Sequence, residues 1–489
     1  MSIWKRGFAF SLICNRVPEI NISKKDVLWG YVATFFQIAS GLVVLPFILH
    51  FLTKEEVGLN YIMLTVGAMV SLFDFGFTPQ FGRNFSYIFS GATDLAKEGL
   101  QNAVGEKTNY RLLRILIDVA KMVYSRISLV VLILMLTAGS VYIGHVTEGF
   151  SLVKNSLIIW IVYSFSTFFN LYYAYFSSLL VGKGLVMESK KAMIASRLTY
   201  ILLAIGLIYA GLGLLGVVIA NLIAPFILRY LAYRYFFTAQ MKGELAPYTS
   251  SKEERSHYFD IIWPNARKIG LVMVGSYGIN RFGLFLAGLF LSLEEVGSYG
   301  LMTQLVNVTV SLAANYFFVS EPQFALFKVR GETERLLKRF ALTMNVFYLV
   351  FAVGTVFLIF CCPPLLELIR SQSVLPGWPV LLAYSIVILL EQNHSLFSSI
   401  IVVGNEVPYV KPALLSGLAI VIGSYLTLRF TGWGIMGLVL VQGICQLAYN
   451  NWKWPHVVCR DFRVSFPRFL QIGMQESLKK AGDALHHRL

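Results

Sequence analysis

Long apolar stretches recur along the whole chain, and they limit the folds that are open to it. Twelve stretches of 19 to 31 residues contain few charges, and a helix of that length crosses the roughly 30 Å hydrocarbon core of a bilayer. Charged residues make up only 14% of the chain, against roughly 25% in soluble domains. The sequence therefore predicts an all-α polytopic membrane protein. The predicted spans, numbered 1 to 12, cover residues 27–52, 59–89, 127–146, 156–181, 192–212, 214–236, 269–293, 298–327, 340–362, 379–403, 412–430 and 433–452.

Lysine and arginine residues lie almost entirely on one side of these spans. The side that holds the amino terminus carries 36 of the 41 basic residues, the other side carries four, and Arg281 lies inside span 7. Cytoplasmic segments of membrane proteins hold the excess of basic residues, so we expect both termini to be cytoplasmic. We call the side with the two termini the basic end and the other side the short-loop end.

Two short motifs occur once in each half of the chain. Leu52-Thr-Lys-Glu-Glu-Val-Gly58 recurs as Leu291-Ser-Leu-Glu-Glu-Val-Gly297 with five of seven positions identical, and the glycine-rich turn at 211–216 recurs at 432–437. Each half then holds six spans, and an even number gives both copies the same orientation in the membrane. The sequence predicts two parallel six-helix repeats around a central cavity.

The repeat divides the chain into five expected parts. They are a cytoplasmic amino-terminal segment over 1–26, a six-helix lobe over 27–240, a cytoplasmic linker over 241–268, a second six-helix lobe over 269–459 and a cytoplasmic basic tail over 460–489. Prolines lie inside several spans, where a lost backbone hydrogen bond permits bending; the alternative for each is that it only fits the local packing. These are Pro46, Pro79, Pro225 and Pro322.

The net charge of +15 indicates contact with the membrane surface. The basic residues lie between apolar spans and do not alternate with aromatic residues as a base-stacking surface requires, so we expect no nucleic-acid partner. The five cysteines show no metal-ligand spacing. No catalytic or metal motif is recognisable, and we expect a protein that is not an enzyme and holds no cofactor.

Arg281 lies near the predicted midplane of span 7. A charge there costs about 2.5–3.5 kcal/mol on insertion scales, so it normally faces a partner or a wet cavity. A guanidinium can hold a diphosphate through two parallel hydrogen bonds. The alternative is a fixed ion pair with an acid on another helix, such as Asp74 or Glu391.

The repeat brings two further charges to similar depth near the basic end. Arg83 lies 25 residues after Gly58 in span 2, and Glu321 lies 24 residues after Gly297 in span 8. One interpretation is a gating ion pair between the two halves. The other is that both side chains simply reach the lipid headgroups.

Glu391 and His394 lie three residues apart in span 10, on one helical face. An acid beside a histidine can take up and release protons near neutral pH, so these two residues are candidates for ion coupling. The alternative is a polar clamp between helices through Glu391, Gln392 and Asn393.

Five short stretches occur in a fixed order along the chain. They are Gly41-Leu-Val-Val-Leu-Pro-Phe-Ile-Leu, Glu55-Glu-Val-Gly58, Asp74-Phe-Gly-Phe77, Asn280-Arg281 and Glu295-Val-Gly-Ser-Tyr299. In this order they resemble the bacterial polysaccharide flippases of the multidrug/oligosaccharidyl-lipid/polysaccharide exporter superfamily, and the resemblance covers nearly the whole chain. Asn280 precedes Arg281 where the family often has an acid, so Arg281 is the position to which the family's role is assigned.

The resemblance implies a flippase of the bacterial inner membrane that moves an undecaprenyl-diphosphate-linked oligosaccharide, such as an O-antigen unit, to the periplasmic leaflet by alternating access. Arg281, Asn280 and Asp74 are then the substrate-binding candidates, and H⁺ and Na⁺ are the candidate coupling ions. Candidate partners are membrane lipid, a polysaccharide polymerase and a chain-length regulator.

Two other functions remain open. A cation-coupled multidrug antiporter of the same superfamily would need uncompensated acids around its cavity, whereas the midplane offers Arg281 as well as Glu391. A membrane glycosyltransferase or polymerase would need a catalytic constellation on a large periplasmic loop, and the loops on that side are short.

Overall fold

A computed structural model describes residue 36 and residues 40–95, 108–329, 331–402 and 410–486. All regular structure within those ranges is helical. The expected segment 1–26 and the beginning of span 1 lie outside the described residues.

The first half of the chain contains spans 1 to 6. Spans 3 and 5 each contain a short π-helical segment, Met135–Gly139 and Ile208–Leu212. In chain order the α-helices are Ser40–Phe51 in span 1, Lys54–Val70 and Phe77–Phe89 in span 2, Tyr110–Leu134 and Ser140–Val146 in span 3, Ser156–Tyr172 and Tyr175–Gly182 in span 4, Val186–Leu207 in span 5, and Gly213–Phe236 in span 6.

The second half contains spans 7 to 12 in the same order. Two helices outside the spans, Ala239–Leu245 and Phe466–His486, belong to the linker and to the tail. The α-helices are Lys252–Asn280 and Phe282–Phe290 in span 7, Leu293–Val329 in span 8, Thr333–Phe360 and Cys362–Leu368 in span 9, Trp378–Val402 in span 10, Val410–Phe430 in span 11, and Gly434–Leu447 and Asn450–Asp461 in span 12.

The surface of the helical bundle is apolar. Seven stretches within the described residues are long and apolar enough to cross a membrane, and one of them, Val186–Phe236, contains both span 5 and span 6. Large apolar side chains such as Val141, Leu202 and Phe360 are more than 70% exposed. Soluble monomers rarely expose continuous apolar surface, so these side chains face lipid.

The motif repeated at residues 52–58 and 291–297 is a helix start. Thr53 and Glu56 form a capping box in which each side chain accepts a hydrogen bond from the other residue's backbone N–H. Ser292 and Glu295 do the same at the start of span 8. A capping box satisfies two backbone donors that have no partner inside the helix, so both halves begin their second span in the same way.

Span 2 crosses span 8 closely at this short-loop end. A side chain on Gly58 would collide with the backbone of Leu293, and one on Gly297 would meet the backbone of Gly58. Small residues let membrane helices approach each other to this distance. The repeated glycine therefore joins the two halves of the protein.

The linker and span 7 form one continuous helix, Lys252–Asn280, which continues through Pro264. The linker part packs on the first half. Glu254 pairs with Arg111 at 2.9 Å, and Tyr258 donates a hydrogen bond of 2.7 Å to Asp94. The second half is thus attached to the first at the basic end through the beginning of span 7.

The tail helix Phe466–His486 packs along span 9. Phe469 is fully buried, and a side chain on Gly473 would collide with the backbone of Ala341. Asn345 donates a hydrogen bond of 2.9 Å to Ser477. One face of this helix is therefore held against the second half.

Candidate functional site

Span 2 is interrupted in its second half. A short 3₁₀ turn, Ser71–Asp74, is followed by Phe75 with φ of 45° and Gly76 with φ of 75°, and a new helix begins at Phe77. Two consecutive left-handed residues cannot continue a right-handed helix. The break comes before Pro79, the position at which the sequence suggested a bend. Pro79 lies in the first turn of the new helix, where a proline removes no intrahelical hydrogen bond, so the helix continues through it.

Asp74 caps the new helix from this break. Its carboxylate accepts hydrogen bonds from the backbone N–H of Thr78 at 3.2 Å, the Thr78 hydroxyl at 2.8 Å and the Tyr124 hydroxyl at 2.7 Å. The side chain is buried, and it connects span 2 to span 3. Asp74 is thus bound within the first half, with no ion pair to Arg281 among the described side chains.

Asp74 also lines a cavity of about 410 Å³ in the first half, whose wall is largely apolar. Spans 2, 4 and 6 form most of its wall, and Met273 of span 7 completes it. The other polar side chains of the lining are Ser71, Thr78, Tyr163, Ser166, Thr167, Asn170 and Asn221.

Arg281 lies at a second interruption, in span 7. The helix that begins in the linker ends at Asn280, and the next helix begins at Phe282. Arg281 has φ of −128° and its side chain is exposed. It forms no ion pair with any described acid, including Glu391. A guanidinium with free donors at such a break is available to an anionic ligand.

Glu391 lies beside this interruption, in the second half. It is 5% exposed and accepts a hydrogen bond of 2.7 Å from Gln442 of span 12. Asn280 lies next to the Glu391 carboxyl group, and its amide donates a hydrogen bond of 3.1 Å to the backbone carbonyl of Ser276. The structure thus brings together Asn280 and Glu391, which the sequence proposed for different roles.

Two tyrosines complete this group, which we call the Glu391 cluster and define as Asn280, Glu391, Gln442, Tyr299 and Tyr384. The tyrosine rings pack edge to face with centroids 6.3 Å apart. Tyr384 lies close enough to both Glu391 and Arg281 for their charges to act on its hydroxyl group. The free guanidinium and the buried carboxyl group therefore share one region of the second half.

The other polar residues of span 10 bind different helices. His394 hydrogen-bonds Asn451 at 2.8 Å, and Asn393 accepts a hydrogen bond of 2.6 Å from Tyr348 of span 9. Glu391 binds Gln442 rather than His394. Span 10 is thus clamped to spans 9 and 12, and ion coupling through Glu391 and His394 stays a prediction.

The proposed gating residues do not pair in this conformation. Arg83 is exposed, and no ion pair joins it to Glu321 among the side chains that the structure describes. Besides the linker contacts at the basic end, the halves are joined at the short-loop end. Lys54 pairs with Glu294 at 2.5 Å, and Tyr61 donates a hydrogen bond of 2.7 Å to Gln304. A gate formed by Arg83 and Glu321 stays a prediction.

Sequence reasoning missed one buried cation. Arg229 of span 6 is 6% exposed, donates a hydrogen bond of 2.7 Å to Asn170 and lies against the rings of Tyr173 and Phe226. Asn170 lines the cavity that contains Asp74. The sequence contained a signal for this residue, because Arg229 is a charged residue inside an apolar span, as Arg281 is.

Comparison with known proteins gives structural matches only. No family model and no curated protein matches this sequence. Among solved structures, the lipid II flippase MurJ in an inward closed conformation matches with a TM-score of 0.62 and 14% identity, over 92% of this chain and 91% of that chain.

Two multidrug transporters match as well. A MATE family transporter of the MOP superfamily in an inward-facing conformation has a TM-score of 0.60 and 13% identity, over 90% of this chain and 99% of that chain. The MATE transporter DinF-BH in complex with R6G has a TM-score of 0.56 and 16% identity, over 92% and 99%. The order of the helices, the internal repeat and the structural matches agree with one another. The chain is a multi-pass membrane protein with the fold of the MOP-superfamily transporters, in which twelve membrane-spanning helices form two parallel six-helix halves.

Proposed function

We propose that this protein is a flippase that moves an undecaprenyl-diphosphate-linked oligosaccharide across the membrane by alternating access, for the assembly of a surface polysaccharide. The observation that carries the proposal is Arg281, an exposed guanidinium without an ion pair at the interruption of span 7. An unpaired charge at this depth is costly, and an anionic ligand would remove that cost.

The chemistry of the ligand follows from the guanidinium. Its planar array of N–H donors matches phosphate oxygens two at a time. Asn280, which directly precedes Arg281, is also exposed and offers an amide beside the guanidinium. A diphosphate that carries a sugar would find both a charged anchor and a neutral hydrogen-bonding group here.

Closure at the short-loop end supports alternating access. Lys54–Glu294, Tyr61–Gln304 and the Gly58–Gly297 crossing hold the halves together there. Such contacts must separate for a cavity to open on that side. The repeat motif thus supplies a closed end that transport has to open.

A cation-coupled multidrug antiporter is the second candidate function. The observation that favours it is the Asp74 carboxylate, which is mostly buried and lines the cavity of the first half. An acid in such a cavity attracts a cation. The unpaired Arg281 opposes this function, because it would repel a cationic drug from the second half.

In the proposed setting the protein lies in the bacterial inner membrane with both termini in the cytoplasm. Glu391 and His394 couple flipping to H⁺ or Na⁺. A polysaccharide polymerase and a chain-length regulator act on the flipped product, and membrane lipid surrounds the protein.

The experiment measures lipid-linked sugar that reaches the periplasmic leaflet, normalised to protein abundance. We expect Arg281→Ala to lower flipping at least about 30-fold, because the bound substrate would bury the guanidinium–phosphate pair, and removing one partner of such a pair costs about 2–5 kcal/mol. Arg281→Lys keeps the charge without the planar fork and should retain partial activity. Arg429→Ala is the matched control, since Arg429 is an exposed cation outside the Glu391 cluster.

Other outcomes assign the residue differently. A fully active, normally abundant Arg281→Ala protein would remove Arg281 from the substrate site. Low abundance of that protein, restored when Asp74 or Glu391 is also neutralised, would indicate a structural ion pair. Export of a cationic dye that requires Asp74 but not Arg281 would favour the antiporter.

A further inference from the structure

An apolar pocket of about 470 Å³ lies beside the interruption in span 2. Its volume is within the roughly 300–1,000 Å³ of small-molecule sites. Span 3 forms one wall, and the linker part of the helix Lys252–Asn280 forms the opposite wall. The aromatic lining residues are Phe73, Phe75, Phe77, Phe259 and Trp263.

The basic rim of this pocket lies at the level of the lipid headgroups, whereas Phe73 and Phe75 of its lining lie deeper, near the middle of span 2. Arg126 directly precedes span 3, and Trp263 lies six residues before the start of span 7, so both belong to the basic edge of the membrane. Tryptophan is enriched at membrane interfaces. The pocket therefore opens where phospholipid headgroups meet the hydrocarbon region.

The charge of the pocket is positive. Arg126 and Lys252 line it, and neither forms an ion pair among the described residues. The acids next to Lys252 do not compensate them, because Glu253 and Glu254 line a different cavity. No acid lines this pocket in the part of the chain that the structure describes.

An apolar track leads from the pocket into the membrane along span 3. Val130 lines the pocket, and Ile133 and Leu134 follow it on the same helical face. These three side chains are 50%, 54% and 43% exposed. The pocket thus offers two cations at the headgroup level and an apolar surface below them.

We propose that this pocket binds one anionic phospholipid of the surrounding leaflet, with its phosphate between Arg126 and Lys252 and its acyl chains along Val130, Ile133 and Leu134. Basic pockets between membrane helices bind anionic headgroups by the same chemistry. The bound lipid contacts Phe75 at the interruption of span 2, and a side chain on Gly270 of span 7 would collide with Phe75. It therefore joins spans 2, 3 and 7.

The test uses the full-length protein in phosphatidylcholine vesicles that contain increasing fractions of phosphatidylglycerol brominated near the headgroup. Bromine quenches nearby tryptophan, and the difference between wild type and Trp263→Phe isolates the signal of Trp263. We expect saturable quenching that Arg126→Gln with Lys252→Gln weakens by about fivefold for each cation removed. The control, Lys121→Gln with Arg267→Gln, removes two exposed cations from the same two helices outside the pocket and should leave the quenching unchanged.

Ser256→Phe provides a second variant that keeps both charges. Ser256 is exposed and lines the pocket, so a ring there fills the space, and we expect the saturable quenching to disappear. Equal quenching by brominated phosphatidylcholine, or equal weakening by the control pair, would overturn the proposal. Displacement of the brominated lipid by equimolar undecaprenyl diphosphate would also overturn it, because the pocket would then belong to a polyprenyl substrate.

Discussion

Replacing Gly58 should open the short-loop end of the protein. A Cβ atom at this position would fall on the backbone carbonyl of Leu293, where span 2 crosses span 8. A backbone carbonyl cannot rotate away as a side chain can, so the two helices must separate. The cost arises only in the conformation in which these two spans touch.

The size of the effect follows from overpacking. Inserting extra atoms into a well-packed contact costs about 1–3 kcal/mol, which changes a two-state ratio by about 5- to 150-fold. Gly58→Val should therefore raise the population that is open at the short-loop end by a factor in that range. Gly206→Val is the matched control, because a Cβ at Gly206 meets no atom within 4 Å and the change in helix propensity is the same.

The assay is cysteine labelling from the short-loop side. Gln304→Cys, in a protein whose five native cysteines are replaced by serine, places a thiol where Tyr61 bonds span 8. A membrane-impermeant maleimide should label it faster in Gly58→Val than in Gly206→Val. Equal labelling rates in two folded proteins would refute the idea that the glycine crossing holds this end closed.

Two further predictions concern coupling and orientation. Glu391→Gln should keep a hydrogen bond with Gln442 while removing the charge, so transport in proteoliposomes should lose its dependence on an imposed H⁺ or Na⁺ gradient, whereas Glu367→Gln, an exposed acid at the short-loop end, should retain it. Full gradient dependence in Glu391→Gln would leave the polar clamp as the role of this residue. Reporter fusions at Leu489 and in the loop that contains Glu294 should report opposite sides of the membrane, and a finding of the same side would contradict the predicted topology.

The amino-acid sequence was sufficient to predict the spans and the repeat. Apolar length determines which segments cross a bilayer, and lipid offers no hydrogen bonds to an unpaired backbone, so each of these segments becomes helical. The matching motifs at residues 52–58 and 291–297 are local capping boxes, with partners three residues apart. Interactions of this range can be found from sequence alone.

Tertiary structure decided which side chains meet. Glu391 accepts a hydrogen bond from Gln442, 51 residues away, whereas His394 binds Asn451. Lys54 of the first half pairs with Glu294 of the second. The sequence had suggested a different pair, Arg83 and Glu321, because these two residues lie at similar depth in their spans. Depth along a helix is readable from the sequence, but the rotation of that helix about its axis is not.

The physical reason lies in how membrane helices associate. Lipid tails are as apolar as the helix surfaces, so close packing and hydrogen bonds between helices, rather than hydrophobic burial, fix each rotation. The Gly58–Gly297 crossing, the contact of Gly270 with Phe75 and the bonds from span 10 to spans 9 and 12 are such contacts. Each depends on two or more distant segments at once, so the sequence determined the number and order of the spans, and only the packed bundle decided which of their polar residues form a site.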